Sequence, residues 1–264
     1  MKYIKKNKAI IILVLILLFI VFGIYFFKNE DKILDTETYI ERLYRRDRDI
    51  YNKLKVKEVK KTVKGIDISS WQGNINFEKV KNSGIDFIMI RCGFSGTGNG
   101  KINLDSHFER NIKEANKYDI PVGIYFYSMA KNEKEAAKEA SYVLNKIKDY
   151  EVVYQIVYDF ESFGKNRVKN ISKERINNNA KVFLKYIEEH GYEAMIYSNL
   201  SDIKNNWNMS NFEDYKVWLA HYTTKTSYDG RYEMWQYSDK GRIDGIVGNV
   251  DLNEAYFAYE VIKE

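Results

Sequence analysis

The 264-residue chain has little cysteine, proline or histidine, and the low cysteine and histidine content excludes some kinds of bond and site. With Cys92 as its single cysteine, the chain cannot form an internal disulfide. The apolar run around it, FIMIRCGF, predicts a small buried residue and not a nucleophile. Metal-ligand spacing is absent from the histidines, so no metal and no cofactor are expected. The histidines are His107, His190 and His221.

Phosphate-binding and nucleic-acid-binding signatures are also missing. The glycine-rich stretch at residues 96–100 lacks the spacing of dinucleotide and P-loop motifs, which favours a flexible rim loop. The net charge is only +5, and lysines alternate with acids along the chain, so we expect a solvated surface and no nucleic-acid partner. The 22 tyrosines suit stacking on carbohydrate, although a drift in composition explains them equally well.

One long hydrophobic run is present near the N-terminus. Residues 9–27 are 19 uncharged residues, enough for a helix across about 30 Å of bilayer. Four lysines within residues 1–8 predict a cytoplasmic N-terminus and a single-pass signal anchor, with the rest of the chain outside the cell. A cleaved signal peptide is the alternative, but the run is long for one and no A-x-A-like site follows. Export without disulfides favours a Gram-positive source.

Residues 28–62 are rich in charge and contain neither proline nor glycine. Their apolar residues recur at roughly helical spacing, which predicts a helical stalk that holds the next domain away from the membrane. A weak dimerisation helix is the alternative, but the heptads are irregular.

Residues 63–264 change to short apolar runs that alternate with amphipathic helical stretches. Five such βα units, followed by three strands with little helix between them, predict an α/β fold, an irregular TIM-like barrel. An open, doubly wound sheet is the structural competitor. The predicted strands lie in VKGIDISS, DFIMIRCGF, IPVGIYFYS, VVYQIVYDFE, YEAMIYSN, YKVWLAHY, RYEMWQYS and GNVDLN.

Four carboxylates lie at the ends of these strands: Asp67, Asp159, Glu161 and Asp251. Functional groups of parallel α/β barrels project from the carboxyl ends of the strands, so four acids there predict a sugar-cleaving site. The spacing of two places Asp159 and Glu161 on one face of a strand, where each affects the protonation of the other. A D-x-E triplet alone is a weak signal, because many strands end in solvated acids.

Further side chains at strand positions are candidates to line the groove. Aromatic rings stack on sugars, and tyrosine hydroxyls and amides hydrogen-bond to them. Each of these residues taken singly is as well explained by barrel packing, and for Arg91 a structural ion pair is the equal alternative. The candidates are Tyr125, Tyr127, Tyr197, Trp218, Tyr222, Trp235, Gln236 and Arg91.

The segment from Val63 to Tyr259 resembles glycoside hydrolase family 25, the Chalaropsis-type muramidases. The matching segments, in the family's order, are GIDISSWQG, FIMIRCGFS, the set Asp105–Phe108–Asn111–Ala115, VGIYFYS, YDFE, MIYSN, VWLAHY, WQYS and VDLN. The resemblance implies a barrel of five βα units plus three strands. It also implies retaining hydrolysis of the β-1,4 bond between N-acetylmuramic acid and N-acetylglucosamine in peptidoglycan.

By the same resemblance, Glu161 is the general acid/base, and Asp159 assists the 2-acetamido group or stabilises charge at the anomeric carbon. Asp67 and Asp251 complete the acidic cluster as positioning groups. Tyr125, Tyr197 and Trp235 are the preferred ligands because their motifs match. The chain departs from the family at Phe126, where many members carry histidine, a change expected to bear on subsite preference.

Two other functions are alternatives to peptidoglycan hydrolysis. A chitinase-like D-x-x-D-x-D-x-E motif fits poorly, since Val157 and Tyr154 occupy two of its acid positions. A non-catalytic glycan-binding or assembly module on the same fold remains the alternative. The anchor favours localised wall remodelling, in the company of a secretion or conjugation apparatus or during sporulation.

Overall fold

A computed structural model describes residues 55–162, 164 and 166–262, all within one compact unit, Ile50–Glu264. The predicted cytoplasmic segment, membrane anchor and most of the stalk lie outside the described residues. No helix of the described part has the length and apolar character needed to cross a membrane. The predicted helical stalk is wrong at its C-terminal end, because Lys55–Val59 forms a strand and not a helix.

The strands of the described part alternate with helices along most of the chain. They are β1 (Lys55–Val59), β2 (Val63–Ile68), β3 (Phe87–Ser95), β4 (Ile102–Leu104), β5 (Val122–Tyr127), β6 (Ile156–Asp159), β7 (Ala194–Asn199), β8 (Lys216–Ala220), β9 (Met234–Gly241), β10 (Val250–Ala255) and β11 (Ala258–Ile262). The helices are α1 (Phe77–Asn82), α2 (Phe108–Lys117), α3 (Glu133–Ile147), α4 (Lys173–Glu189) and α5 (Leu200–Asn205). Short 3₁₀ turns lie at Ser70–Gln72 and Met209–Asn211.

Local sequence accounts for where the helices begin. Asn76, Asn132, Ser172 and Asn199 each accept a backbone N–H with the side chain at the start of α1, α3, α4 and α5. Such caps satisfy donors that have no partner within the helix. Successive turns of α3 and α4 bury one apolar face against the sheet, as amphipathic periodicity requires.

The sheet closes into a barrel. In order, β2, β3, β5, β6, β7, β8 and β9 are parallel neighbours, and β10 closes the ring antiparallel to both β9 and β2. Because β2 pairs with β3 and with β10, the open doubly wound alternative is wrong, and the predicted α/β barrel of five βα units plus three strands is confirmed. One strand of this sheet was not predicted: β4 follows the glycine-rich turn and pairs with the end of β3.

Two layers of packing make the core. One lies between strands and helices, where Cys92 is buried as expected and burial raises its pKa. The other fills the barrel interior with residues such as Phe87 and Met89. Gly65 is required there, because a Cβ on it would lie 2.3 Å from the Phe87 ring.

β1 and β11 form a separate antiparallel ribbon against the amino ends of the barrel strands. Lys216, the first residue of β8, pairs with Glu58 of β1 at 2.9 Å. Gln155, just before β6, donates from Nε2 to the Tyr259 hydroxyl of β11 at 2.5 Å. The ribbon therefore covers the barrel end opposite the carboxyl ends of the strands.

Candidate active site

Asp67 and Asp251 form the first of two carboxyl pairs at the carboxyl end of the barrel. They are directly opposite partners in the β2–β10 ladder, and their side chains are hydrogen-bonded to each other. Burial raises the pKa of Asp67 to about 6. Burial, followed by the charges of Asp67 and Asp239, raises the pKa of Asp251 to about 8. Two carboxyls that share a hydrogen bond need a proton between them. Because Asp251 has the higher pKa of the two, Asp251 holds that proton at neutral pH.

Asp159 and Glu161 form the second pair. Asp159 ends β6 and is 5% exposed, Glu161 lies two residues beyond it, and their side chains are hydrogen-bonded. Burial and then the charge of Glu161 raise the pKa of Asp159 well above its usual range. Burial, then the charges of Asp202 and Asp67, raise the pKa of Glu161 to about 7. A glutamic acid that keeps its proton near neutral pH is suited to general acid catalysis.

Asp67 is held by a relay of hydrogen bonds. Its Oδ2 accepts from Gln236 Nε2 and from Asn253 Nδ2, both at 2.8 Å. Trp218 Nε1 in turn donates to Asn253 Oδ1 at 2.8 Å, and the Tyr197 hydroxyl donates to Gln236 Oε1 at 2.9 Å. Trp218 and Gln236 therefore orient Asp67 from beneath, and one amide N–H of Gln236 remains for a ligand.

Arg91 belongs to a structural ion pair and also faces the cleft. Its Nη2 lies 2.7 Å from Asp105 Oδ2, and Nη2 also donates to the Ser70 hydroxyl at 3.2 Å. The same guanidinium lowers the pKa of Asp159, although burial outweighs it. Arg91 therefore fits both interpretations, since it forms a structural ion pair with Asp105 and also faces the cleft.

These groups surround a cleft of about 720 Å³, a volume typical of a ligand site. Eleven of the twelve predicted catalytic and binding residues line it. Sequence reasoning missed three residues on its wall, Ser70, Trp71 and Phe94. Trp71 is 84% exposed, and the one sequence signal that could have found it is its place in the SSWQG segment. The full lining is Asp67, Ser70, Trp71, Arg91, Phe94, Tyr125, Tyr127, Asp159, Glu161, Tyr197, Trp218, Tyr222, Gln236 and Asp251.

Trp235 does not line this cleft, so the structure does not bring it together with the other preferred ligands, Tyr125 and Tyr197. Side chains alternate along a strand, and β9 turns the neighbouring Gln236 inward. The Trp235 indole instead donates to the His221 carbonyl at 3.0 Å and packs beside Tyr237.

Phe126, the position at which the chain departs from the family pattern, lies away from the cleft. Phe126 is fully buried against Tyr142 of α3, between the sheet and the helices, while its neighbours Tyr125 and Tyr127 line the cleft. An effect of this position on subsite preference is therefore not supported by its location.

Replacing Asp251 by asparagine should remove part of the pH dependence of stability. Its pKa rises from 3.8 to about 8 in the folded protein, so its contribution to stability is present at low pH and is lost as the pH rises through that range. Thermal midpoints measured between about pH 5 and pH 9 should fall by a few degrees less in Asp251→Asn than in wild type. Asp229→Asn, an exposed surface control, should follow wild type. Parallel curves for all three proteins would contradict the assignment.

Comparisons with known proteins agree with this geometry. The sequence model of "Glycosyl hydrolases family 25" matches residues 66–246. The chain is 30% identical over 194 residues to the autolytic lysozyme of Clostridium acetobutylicum, a match that covers 73% of this chain and 55% of that protein. It therefore spans about half the length of this relative.

Solved structures share the fold. The modular autolysin LytC from Streptococcus pneumoniae, solved in complex with a synthetic peptidoglycan ligand, superposes with a TM-score of 0.66 at 27% identity, over 73% of this chain and 46% of LytC. A family 25 glycosyl hydrolase from Bacillus anthracis superposes with a TM-score of 0.64 at 21% identity, over 74% of this chain and 88% of that one. The family match extends over more than half of the sequence and includes Asp67, Asp159 and Glu161, so the chain belongs to glycosyl hydrolases family 25.

Proposed function

We propose that the protein hydrolyses peptidoglycan at the β-1,4 bond between N-acetylmuramic acid and N-acetylglucosamine, with retention of configuration and with Glu161 as general acid/base. The observation that carries the proposal is the buried, hydrogen-bonded Asp159–Glu161 pair, with raised pKa values, on the wall of an aromatic cleft. The lysozyme relative and the autolysin solved with a peptidoglycan ligand support the substrate class.

In the first step, Glu161 gives its proton to the glycosidic oxygen as the bond from that oxygen to the anomeric carbon breaks and a nucleophile bonds to that carbon from the opposite face. Positive charge develops on the sugar ring, and the acids beside it stabilise that charge. In the second step, the Glu161 carboxylate takes a proton from water as the water oxygen bonds to the anomeric carbon and the bond from the nucleophile to that carbon breaks, which restores the enzyme and the original configuration.

The contact between Asp159 and Glu161 bears on the nucleophile. A retaining enzyme whose own carboxylate attacks holds its two carboxyls about 5–5.5 Å apart, on opposite faces of the sugar. Here the two groups are in hydrogen-bond contact, and Asp159 Oδ1 is buried with no partner among the described residues. This arrangement favours attack by the substrate's acetamido oxygen, with Asp159 accepting the acetamido N–H.

The experiment is analysis of the ends that the purified full-length protein generates in peptidoglycan. After borohydride reduction, mass spectrometry should find muramitol at the new ends. Reduced N-acetylglucosamine there would assign the other bond. No new ends at all, with glycan binding retained, would instead establish the non-catalytic module.

The rate should fall on the basic side of neutrality. Glu161 must be protonated to act as an acid, and its pKa is about 7, so kcat/KM should decline tenfold per unit once the pH exceeds that value. Initial rates of reducing-end release between about pH 4 and pH 9 measure this limb. A rate that still rises above about pH 8 would contradict the role of Glu161.

We also propose that the domain works outside the cell, tethered to the membrane through residues 9–27. The support is the hydrophobic run and the lysines that precede it. Cell fractionation and protease treatment of intact protoplasts test the tether. Recovery of the protein from culture medium with a trimmed N-terminus would defeat it.

A further inference from the structure

A fifth carboxylate, outside the cleft lining, lies behind the segment that carries Glu161. Asp202, in α5, is 4% exposed. Its Oδ2 accepts the Ser162 backbone N–H at 2.9 Å, and its Oδ1 accepts the Ser162 hydroxyl. Since Ser162 directly follows Glu161, these bonds fix the backbone beside the proposed acid. We propose that Asp202 is a positioning residue for Glu161, which it anchors through Ser162 and holds beside a negative charge.

The hydrogen bonds of Asp202 are those of an ionised carboxylate. Besides Ser162, Asn199 Nδ2 donates to Oδ2 at 2.7 Å and Asn206 Nδ2 donates to Oδ1 at 2.6 Å. Each oxygen thus accepts two hydrogen bonds, which is an acceptor-only pattern. All these donors are neutral, and within residues 55–162, 164 and 166–262 no ion pair involves Asp202. The charge is therefore solvated by dipoles but not cancelled.

That charge acts on Glu161 together with others. After burial, Asp202 is the largest cause of the raised pKa of Glu161, ahead of Asp67. One cation of the cleft, Arg91, lies on the Asp159 side. Among the described residues, the charged and titratable groups around Glu161 are Asp67 on β2, Arg91 on β3, Tyr127 on β5, Asp159 on β6, Tyr197 on β7, Asp202 on α5, Tyr222 after β8 and Asp251 on β10.

The inference rests on the proposed role of Glu161 as a general acid, and it has a signature in the pH profile. Without the Asp202 charge, Glu161 loses its proton at lower pH, so the acid form is depleted at neutral pH but not at low pH. A merely structural loss would lower the rate by one factor at every pH.

The variant that removes the charge and keeps an acceptor is Asp202→Asn. We expect the basic limb of kcat/KM to move down by about one pH unit, which gives about a tenfold loss at pH 8 and wild-type rates near pH 5. The charge-restoring double variant Asp202→Asn/Asn206→Asp, in which the two hydrogen-bonded groups exchange places, should return the limb toward wild type. Ser162→Ala, which removes one hydrogen bond and no charge, should leave the limb in place.

An unmoved limb in Asp202→Asn, or a uniform loss at all pH values, would overturn the inference. If Asp202→Asn does not fold, Asp202→Ser, which keeps a hydroxyl acceptor for the Ser162 N–H, takes its place.

A readout that needs no turnover separates this inference from the proposed function. In protein labelled with ¹³C at glutamate carboxyls, the Glu161 resonance is the one lost in Glu161→Gln, and its titration midpoint should fall by about one unit in Asp202→Asn. If Glu161→Gln proves as active as wild type, the proposed function fails while this titration still reports on Asp202. If Glu161→Gln is inactive and the midpoint does not move, only the inference about Asp202 fails.

Discussion

Glu161→Gln should lower kcat on peptidoglycan by about 10³-fold and leave the fold intact, because glutamine fills the same space and cannot give up a proton. Glu161 lies near Asp67 and Asp202, whose charges oppose its ionisation. The neutral amide should therefore leave the thermal midpoint equal to or above that of wild type.

The measurement is single-turnover release of reducing ends by wild type and variant at equal occupancy, with binding to insoluble peptidoglycan as a second readout. Glu78→Gln, an exposed residue of α1 outside the cleft lining, is the matched control and should retain full activity. A Glu161→Gln protein within tenfold of wild type would remove Glu161 from the reaction.

Asp159→Asn should lower kcat by about 10²-fold with little change in KM. The amide can still donate to Glu161, so the proposed acid keeps its hydrogen bond. The lost feature is the carboxylate charge, because asparagine offers only a neutral Oδ1 in place of the buried Asp159 Oδ1, which has no partner among the described residues and is available to the acetamido N–H of a bound sugar. An interaction that aligns the nucleophile strengthens in the transition state, and its loss appears in kcat.

A cycle with N-deacetylated glycan strands isolates that interaction. Deacetylation should slow wild type about as much as Asp159→Asn slows the acetylated substrate, and the two changes together should cost little more than either alone. Full additivity of the two losses would mean that Asp159 does not act through the acetamido group.

The sequence was sufficient for the architecture because its signals are local. Alternating apolar runs and helix caps such as Asn76 mark the βα units, and acids at strand ends mark the functional edge. The pairing of Asp67 with Asp251 depends on the register between strands at opposite ends of the domain, which no local pattern encodes.

Register also explains the position of Trp235. The β9–β10 ladder shifts register near Leu252, and the sequence alone does not show which side of β9 faces the cleft. Asp202 escaped notice for a different reason. Its helix is short and weakly periodic, and its partner Ser162 is 40 residues away in sequence. Contacts of this kind arise only when the loops at the barrel mouth are assembled in space.

The ribbon of β1 and β11 fixes the end of the barrel at which the described chain begins. The polypeptide enters through β1 at the end of the barrel opposite the acids, because Glu58 contacts the first residue of β8. The mouth of the cleft therefore faces away from β1, so the described chain enters the barrel at one end and a ligand enters the cleft at the other.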